Sequence, residues 1–363
     1  MELSKKLYNP FIRSNDSAGK VMTDVIIALL PCVLVSWFAF GYTPIILILV
    51  SIGSALITEF FFNRIFRKNN TSLDDGSAVV TGLLLAFTIG PFTPLYIVAI
   101  GAACAVLFGK LLWGGLGQNR FNPALTGREF MVVLFPAVMN SHTIWKKSEM
   151  INFESINLFN DTFWNYLLYR PIGAIGEYSP LLLILGGVFL ICRRRISWHI
   201  PVAMLTIFTV MLFVFRGQHI LINIGGILLG AIFMATDMPS SPSTPSGKIY
   251  FGAMIGIVAA VCLLFGANKG YFSYSILIVN AFVTQINWVF RPKTWGKSRE
   301  KKMGVIQGVL LTLTIGATTA VVLWLHHSNG LIFLVIIYAL YSILRFAFSE
   351  DQKPWSKLIK KRV

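Results

Sequence analysis

The segment GGLGQNRFNPA, residues 114–124, separates two apolar stretches and decides how this chain is interpreted. Its three glycines and its Asn-Pro pair favour irregular backbone over regular helix. Irregular backbone at membrane depth is stable only where protein or a water-filled cavity satisfies its N–H and C=O groups. The sequence therefore predicts that this segment lines a site.

The composition indicates that the flanking stretches lie in a membrane. Hydrophobic residues make up 55% of the chain, charged residues make up 13%, and mean hydropathy is +0.70. Ordinary soluble domains carry about a quarter charged residues. The net charge of +16 would suggest nucleic-acid binding in a soluble protein, but the basic residues cluster between apolar segments and act as topology signals. We expect an all-α polytopic membrane protein in a lipid bilayer, with no nucleic-acid partner.

The apolar segments and basic clusters together predict a topology. About twelve segments are long enough, or nearly so, to cross a hydrocarbon core of about 30 Å. With a cytoplasmic N-terminus, the basic clusters at 64–68, 193–195, 291–302 and 357–362 all fall on the cytoplasmic side. Both termini are therefore expected in the cytoplasm, and the longest loop, residues 140–179, is expected outside.

The two halves of the chain resemble each other. GLLLAF at 82–87 is echoed by GILLGA at 226–231, each in a short span followed by a Pro-rich break. Asn122 in the first half corresponds to Asn280 in the second. Five spans per half give the halves opposite orientations, and paired, interrupted spans of this kind point to a midplane site. A chance match between Gly-rich apolar segments is the alternative.

The predicted organisation places the repeats before an appended hairpin. In order, we expect a cytoplasmic N-terminal segment at 1–20, a first five-span repeat at 21–139, the external loop at 140–179, a second five-span repeat at 180–291, a basic cytoplasmic linker at 292–302, a transmembrane hairpin at 303–348 and a basic cytoplasmic tail at 349–363.

Several motifs, taken in order, resemble the RnfD/NqrB family of membrane subunits from ion-pumping, flavin-containing electron-transfer complexes. They are SAGKVMTD at 17–24, LDDGSAVVTG at 73–82, the segment at 114–124, IGAIGEYS at 172–179, ISWHIP at 196–201 and FMATD at 233–237. The resemblance implies ten spans in a urea-transporter-like 5+5 inverted repeat, followed here by the two-helix hairpin.

The resemblance also implies a function. The chain would be the D-type membrane subunit of an Rnf complex, which passes electrons between ferredoxin and NAD while moving Na⁺ or H⁺ across the bacterial inner membrane. Its partners would be other Rnf-like membrane and peripheral subunits, and its cofactor FMN or riboflavin. A redox-inactive channel, transporter or scaffold of the same fold is the alternative.

One departure from the family pattern concerns the attachment of flavin. Members that resemble this chain usually hold FMN through a phosphoester to threonine in a Ser-x-Ala-Thr-Pro-like motif of the external loop. Here the loop reads FESINLFNDT at 153–162 and contains no such motif. The GATT sequence at 316–319 lies inside an apolar span, where small residues favour helix packing instead. We therefore expect non-covalent rather than covalent flavin, and any covalent attachment residue is unknown.

The two breaks supply the candidate flavin-binding residues. A flavin site needs apolar walls, a few amide or hydroxyl partners and donors for a phosphate. We call residues 114–124 the first break and the Pro/Ser-rich residues 236–248 the second break. The candidates are Asn119, Arg120, Asn122 and Pro123 in the first break, Thr126 one turn further on, and Asp237, Ser243 and Thr244 in the second break. Helix capping explains the first group equally well, and a solvated loop explains the second.

Charged residues within the spans supply the candidate ion pathway, since intramembrane charge is costly and commonly functional. Glu129 in the fifth span and Asp24 in the first are the candidates. The structural alternative for Glu129 is an ion pair with Arg120 or Lys110.

The remaining motifs narrow the chemistry. The four cysteines are widely spaced, and the histidines lie in loops or at span ends, so neither iron–sulfur nor haem ligation is expected. Nucleotide-binding fingerprints are also missing from the sequence. We expect no metal site and no catalytic residue in this chain, with NAD and ferredoxin bound by partner subunits.

Overall fold

The structure, a computed structural model, describes residues 16–67, 75–145, 173–215, 223–268, 270–292 and 301–348. In these ranges the chain is helical and forms no strands. Most of the predicted external loop, including Ser155 and Thr162, lies outside the described residues. So do residues 1–15, most of the basic linker and the predicted tail, and the predictions made for them stay predictions.

We number the helices in chain order. They are α1 (Ala18–Phe40), α2 (Thr43–Phe62), α3 (Ser77–Phe87), α4 (Leu95–Gly109), α5 (Pro123–Leu134), α6 (Pro136–Met139), α7 (Pro180–Cys192), α8 (His199–Val214), α9 (Ile224–Leu229), α10 (Pro245–Leu264), α11 (Tyr271–Asn280), α12 (Val283–Val289), α13 (Lys301–His327) and α14 (Leu331–Phe348). A π-helical turn extends α2 over Asn63–Arg67, and another extends α9 over Gly230–Met234.

The helices confirm a multi-pass membrane protein. Among the described residues, six helical segments are long and apolar enough to cross a membrane: Ala18–Phe40, Thr43–Arg67, Leu95–Trp113, Pro245–Leu264, Gly304–His327 and Leu331–Phe348. A seventh span is formed if α11 and α12, which meet at a 54° bend, are counted together. Other apolar helices are shorter, so the predicted ten spans of the repeat stay a prediction.

Glycine allows the central helices to approach closely. A Cβ on Gly127 of α5 would lie 2.6 Å from the carbonyl oxygen of Gly101 on α4. A Cβ on Gly256 of α10 would lie 2.7 Å from the carbonyl oxygen of Met204 on α8. Small residues are the usual means of helix association in membranes, because lipid provides no hydrophobic drive between helices. Both halves of the chain therefore depend on backbone contacts that only glycine permits.

The C-terminal hairpin of α13 and α14 packs against the turn that leads into the first break. Trp113 donates its indole N–H to the Tyr338 hydroxyl at 2.9 Å, and that hydroxyl donates to the Phe108 carbonyl at 2.8 Å. The Arg345 guanidinium lies 4.2 Å from the centre of the Trp113 ring, a cation–π contact. These contacts attach α14 to the core beside the first break.

We expect Gly256→Ala to lower the melting temperature of the purified protein, because its methyl group would overlap the Met204 carbonyl. Overpacking of this kind costs about 1–3 kcal/mol. Gly308→Ala on α13 is the matched control, since a Cβ there meets nothing within 4 Å. Thermal unfolding in one detergent compares the two variants. Equal melting temperatures would contradict the close approach of α8 and α10.

Candidate functional site

The two predicted breaks meet at a cavity of about 270 Å³, which we call the break cavity. The first turns of α1 and α3, the end of α7, residues 116–124 and residues 232–239 surround it. Most of its wall is apolar, and eight polar side chains supply charge or hydrogen-bonding groups: Ser77, Thr81, Lys110, Asn119, Asn122, Arg195, Thr236 and Asp237. The predicted site therefore brings together residues more than a hundred positions apart.

Asn119 links the first break to the second. Its Nδ2 donates to Oδ2 of Asp237 at 2.9 Å, and the hydroxyl of Ser240 donates to the same oxygen at 2.8 Å. Asn119 is buried and Asp237 is partly buried. Both residues were predicted as site residues, and both line the break cavity.

Asn122 caps α5 and also reaches the other half of the chain. Its Oδ1 accepts from the Leu125 N–H at 3.2 Å, and its Nδ2 donates to the Met234 carbonyl at 3.0 Å. Thr126 donates its hydroxyl to the Asn122 carbonyl at 3.0 Å, while Pro123 occupies the first helical turn. The predicted capping role is confirmed, and Asn122 and Pro123 also line the break cavity.

The asparagines that correspond in the two halves are in contact. With its amide oriented so that both its oxygen and its nitrogen have partners, Asn280 accepts from the Asn122 backbone N–H at 3.1 Å. In that orientation its nitrogen donates to the Ser240 carbonyl at 3.0 Å. Asn280, at the end of α11, thus satisfies one polar backbone group of each break.

Four of the predicted flavin-binding residues do not line the break cavity: Thr126, which faces the cavity beside the C-terminal hairpin, and Arg120, Ser243 and Thr244, which hold the breaks in place. Arg120 donates to the Ala281 carbonyl at 3.0 Å. The backbone N–H of Ser243 donates to Oδ1 of Asn287 at 3.0 Å, and Thr244 caps α10 by accepting from the Gly247 N–H at 3.2 Å. Their contacts are structural.

Lys110 forms an ion pair buried inside the helix bundle. Its Nζ lies 2.7 Å and 2.9 Å from the two carboxylate oxygens of Glu59, with side-chain exposures of 2% and 0%. Lys110 also donates to the hydroxyl of Ser77, whose N–H is bound by Asp75 at 2.8 Å. The suggested pairing of Lys110 with Glu129 is therefore wrong, because Lys110 at the end of α4 faces α2 and the start of α3.

Asp24 is paired with two arginines that follow α7. Its carboxylate lies 3.0 Å from Arg193 and 2.6 Å from Arg195, and Arg195 also contacts Asp16 at 3.0 Å. Arg195 lines the break cavity, so this network closes one side of it. The sequence analysis named Asp24 and the basic cluster at 193–195 separately and missed that they pair.

Glu129 lies away from the break cavity. Its Oε1 is buried and has no hydrogen-bond partner among the described residues. The nearest charge is the Arg128 guanidinium, at 3.7 Å, which also donates to the hydroxyl of Ser273. Arg120 instead binds Ala281, so the suggested pairing of Arg120 with Glu129 is also wrong. Glu129 faces a second cavity, against the C-terminal hairpin.

The described residues contain no group of His, Cys, Asp or Glu side chains that could hold a metal. The fold and the break cavity define a class: an all-helical, multi-pass membrane protein in which two broken segments enclose a small-molecule-sized space.

The chain belongs to the NQR2, RnfD, RnfE family, whose sequence model matches residues 6–296. It is 34% identical over 322 residues to the D-type subunit of the proton-translocating ferredoxin:NAD(+) oxidoreductase complex of Clostridium ljungdahlii, covering 80% of this chain and 96% of that one. It is 35% identical over 311 residues to the Na(+)-translocating counterpart of Acetobacterium woodii, and the match covers 81% of this chain and 96% of that one. It is 29% identical over 345 residues to the D-type subunit of the ion-translocating oxidoreductase complex of Haemophilus ducreyi, and the match covers 80% of this chain and 99% of that one. The predicted family is confirmed, and α13 and α14 lie beyond the residues that its model matches.

Removing one partner of the Lys110–Glu59 pair should destabilise the protein more than removing both. A buried charge left without its partner costs about 3–5 kcal/mol, whereas apolar replacement of a whole pair is often neutral. We expect Lys110→Met and Glu59→Leu each to lower the melting temperature, and the double variant to recover most of the loss. Additive losses in this double-mutant cycle would show that the pair is not coupled.

Asp237 generates a pH-dependent prediction. Burial raises the pKa of its carboxyl, although hydrogen bonds from Ser240 and Asn119 oppose the shift. The folded protein then binds this proton more tightly than the unfolded chain, in which the pKa of an Asp carboxyl is about 3.9. This tighter binding stabilises the folded protein fully at pH values below the pKa of the unfolded chain. The stabilisation is lost as the pH rises through the raised pKa of the folded protein.

Asp237→Asn removes this titration and keeps an oxygen that can accept both hydrogen bonds. We therefore expect its melting temperature, relative to the unmodified protein, to increase as the pH is raised from about 4 to 8. Melting curves over that pH series measure the difference. A difference that stays constant or falls would contradict the burial of Asp237.

Proposed function

We propose that this chain is the D-type membrane subunit of an Rnf-like complex that couples electron transfer between ferredoxin and NAD to ion movement. Membership of the family and the names of the relatives support this assignment. One relative is named for protons and the other for Na⁺, at nearly the same identity, so likeness alone does not select the ion. The chain works with other membrane and peripheral subunits, which bind ferredoxin and NAD.

The break cavity is the proposed flavin site, and the observation that carries the proposal is that residues of both breaks line this one cavity. Its volume of about 270 Å³ is near the lower end of small-molecule sites. Val25, Val80 and Phe233 offer an apolar surface for the ring, while Asn119 and Thr236 stand among its polar groups. This donor set fits FMN or riboflavin held without a covalent bond.

The charged residues of the break cavity suit the polar tail of a flavin. Lys110 and Arg195 both line it, and each is already held by carboxylates, Lys110 by Glu59 and Arg195 by Asp24. Fixed side chains orient a ligand without a large loss of ordering entropy. Bound flavin supplies the electron-transfer chemistry, and the residues of this chain bind it and exclude water.

The architecture in this proposal is a 5+5 inverted repeat with both termini in the cytoplasm of a bacterial cell and an appended hairpin. The contact between Asn122 and Asn280 supports the repeat, because it joins the positions that correspond in the two halves. The break cavity then opens near the basic residues that follow α7, which the positive-inside rule assigns to the cytoplasm.

Glu129 and Asp24 are the proposed ion-pathway residues. They differ in surroundings, since two arginines bind the Asp24 carboxylate while Oε1 of Glu129 has an open acceptor position among the described residues. Glu129 is therefore the better placed of the two to exchange an ion, and Asp24 the better placed to keep α1 and α7 together.

Filling the break cavity should displace flavin. We expect Val25→Trp to reduce the flavin recovered per mole of protein at least several-fold, because the indole occupies the ring volume. Leu34→Trp is the matched control: it also introduces a tryptophan on the same helix, at a residue that is 52% exposed on the outer face. The measurement is the visible absorbance of the complex purified with its partner subunits.

Denaturation followed by in-gel ultraviolet fluorescence separates dissociable from covalent flavin. A fluorescent band would contradict non-covalent binding. Equal flavin content in the two tryptophan variants would contradict the binding of flavin in the break cavity. A colourless complex would favour the redox-inactive channel or scaffold.

A further inference from the structure

A second cavity, of about 290 Å³, lies between the core and the C-terminal hairpin, and we call it the hairpin cavity. One face of α5, part of α11 and facing residues of α13 and α14 form its wall. Phe130, Leu277, Val322 and Val335 make that wall apolar. Cavities with apolar walls accept apolar guests.

Nearly every polar side chain in this wall already has a partner. The Tyr274 hydroxyl is hydrogen-bonded to Nδ1 of His326 at 3.1 Å, and the Tyr338 hydroxyl is shared between Trp113 and Phe108. Thr126 and Thr318 donate their hydroxyls to carbonyls one turn earlier in the chain. Oε1 of Glu129 is the buried side-chain atom of this wall that has no hydrogen-bond partner among the described residues.

The electrostatics define what the Glu129 oxygen can bind. The Arg128 guanidinium lies 3.7 Å from Oε1 and offsets part of the negative charge that the Glu129 side chain can carry. A neutral hydrogen-bond donor adds no charge and still satisfies Oε1. Leaving a buried acceptor without a hydrogen bond is costly, and bonds to charged acceptors are stronger than neutral ones.

We propose that the hairpin cavity binds a small, neutral, lipid-soluble molecule with an apolar body and one amine or hydroxyl group that donates to Glu129. The hairpin that forms half of the wall presents its other face outward, where Leu313 and Leu340 are 63% and 56% exposed, so the cavity lies beside the outer surface of the helix bundle. The site is separate from the break cavity, and its test does not depend on flavin.

The test uses a matched pair of fluorescent probes on the full-length chain in lipid nanodiscs. 1-Aminoanthracene carries an apolar ring system with one neutral amine, and anthracene is the same body without the donor. We expect saturable binding of both probes, with 1-aminoanthracene bound about tenfold more tightly, as one hydrogen bond to a carboxylate allows. Each probe partitions into lipid to the same extent whichever variant is measured. A change between variants in the ratio of the two dissociation constants therefore reports the hydrogen bond and not partitioning into lipid.

Glu129→Leu should reduce that ratio to about one, and Glu129→Gln, which keeps an acceptor oxygen, should retain part of it. Val133→Trp should remove saturable binding of both probes by filling the hairpin cavity. Leu340→Ala, on the outer face of α14, is the control and should leave both constants unchanged. Far-ultraviolet circular dichroism and gel filtration show whether each variant is folded.

An unchanged ratio in a folded Glu129→Leu variant would overturn the role of Glu129. The absence of saturable binding by the unmodified protein, or its persistence in a folded Val133→Trp variant, would overturn the site. If Glu129→Leu does not fold, the ratio of dissociation constants measured for Glu129→Gln tests the role of Glu129. The loss of binding in Val133→Trp then tests the hairpin cavity as the site.

Discussion

The architecture depends on the requirement that broken backbone inside a membrane protein must find hydrogen-bond partners in the protein. The first break meets this requirement through the second. Asn122 donates to the Met234 carbonyl, and Asn119 donates to Asp237. Neither break could be stable in its observed place without the other, so the cavity between them follows from the way the backbone is satisfied.

The same constraint explains the distribution of charge and of glycine. Lys110 is surrounded by Glu59 and Ser77, so that its desolvation is offset by a charge and a hydroxyl. Arg195 is likewise held between Asp16 and Asp24. Gly127 and Gly256 bring neighbouring helices close enough for the breaks to meet. Rigid packing and paired charges give the break cavity fixed walls, which a bound cofactor requires.

The class, the family and the two breaks that line the cavity could be predicted from the sequence, because these depend on hydropathy and on local composition. Gly and Pro mark a break wherever they interrupt an apolar run, and Asn before Pro marks a helix start; both signals are local. Asn119, Asn122, Pro123 and Asp237 line the cavity as predicted.

The partner of each charged residue could not be predicted in the same way. Lys110 pairs with Glu59, 51 positions earlier, and only the packing of α2 against α4 distinguishes that carboxylate from Glu129. Arg120 was suggested as a hydrogen-bond donor to a phosphate because its real partner could not be predicted either. That partner, the Ala281 carbonyl, is brought to Arg120 by the bend between α11 and α12.

The hairpin changes the surroundings of a residue within the family core. Glu129 lies on α5, inside the matched residues, whereas Leu331, Leu334 and Tyr338 of α14 lie beyond them. Lipid in place of α14 would leave the face of α5 near Glu129 open to hydrocarbon, where a carboxylate costs at least about 2.5 kcal/mol. By enclosing that face, the hairpin creates a protected cavity around the carboxylate. The hydroxyl of Tyr338 also binds Trp113, one residue before the first break, so the wall of the hairpin cavity is joined by a hydrogen bond to the segment that encloses the break cavity.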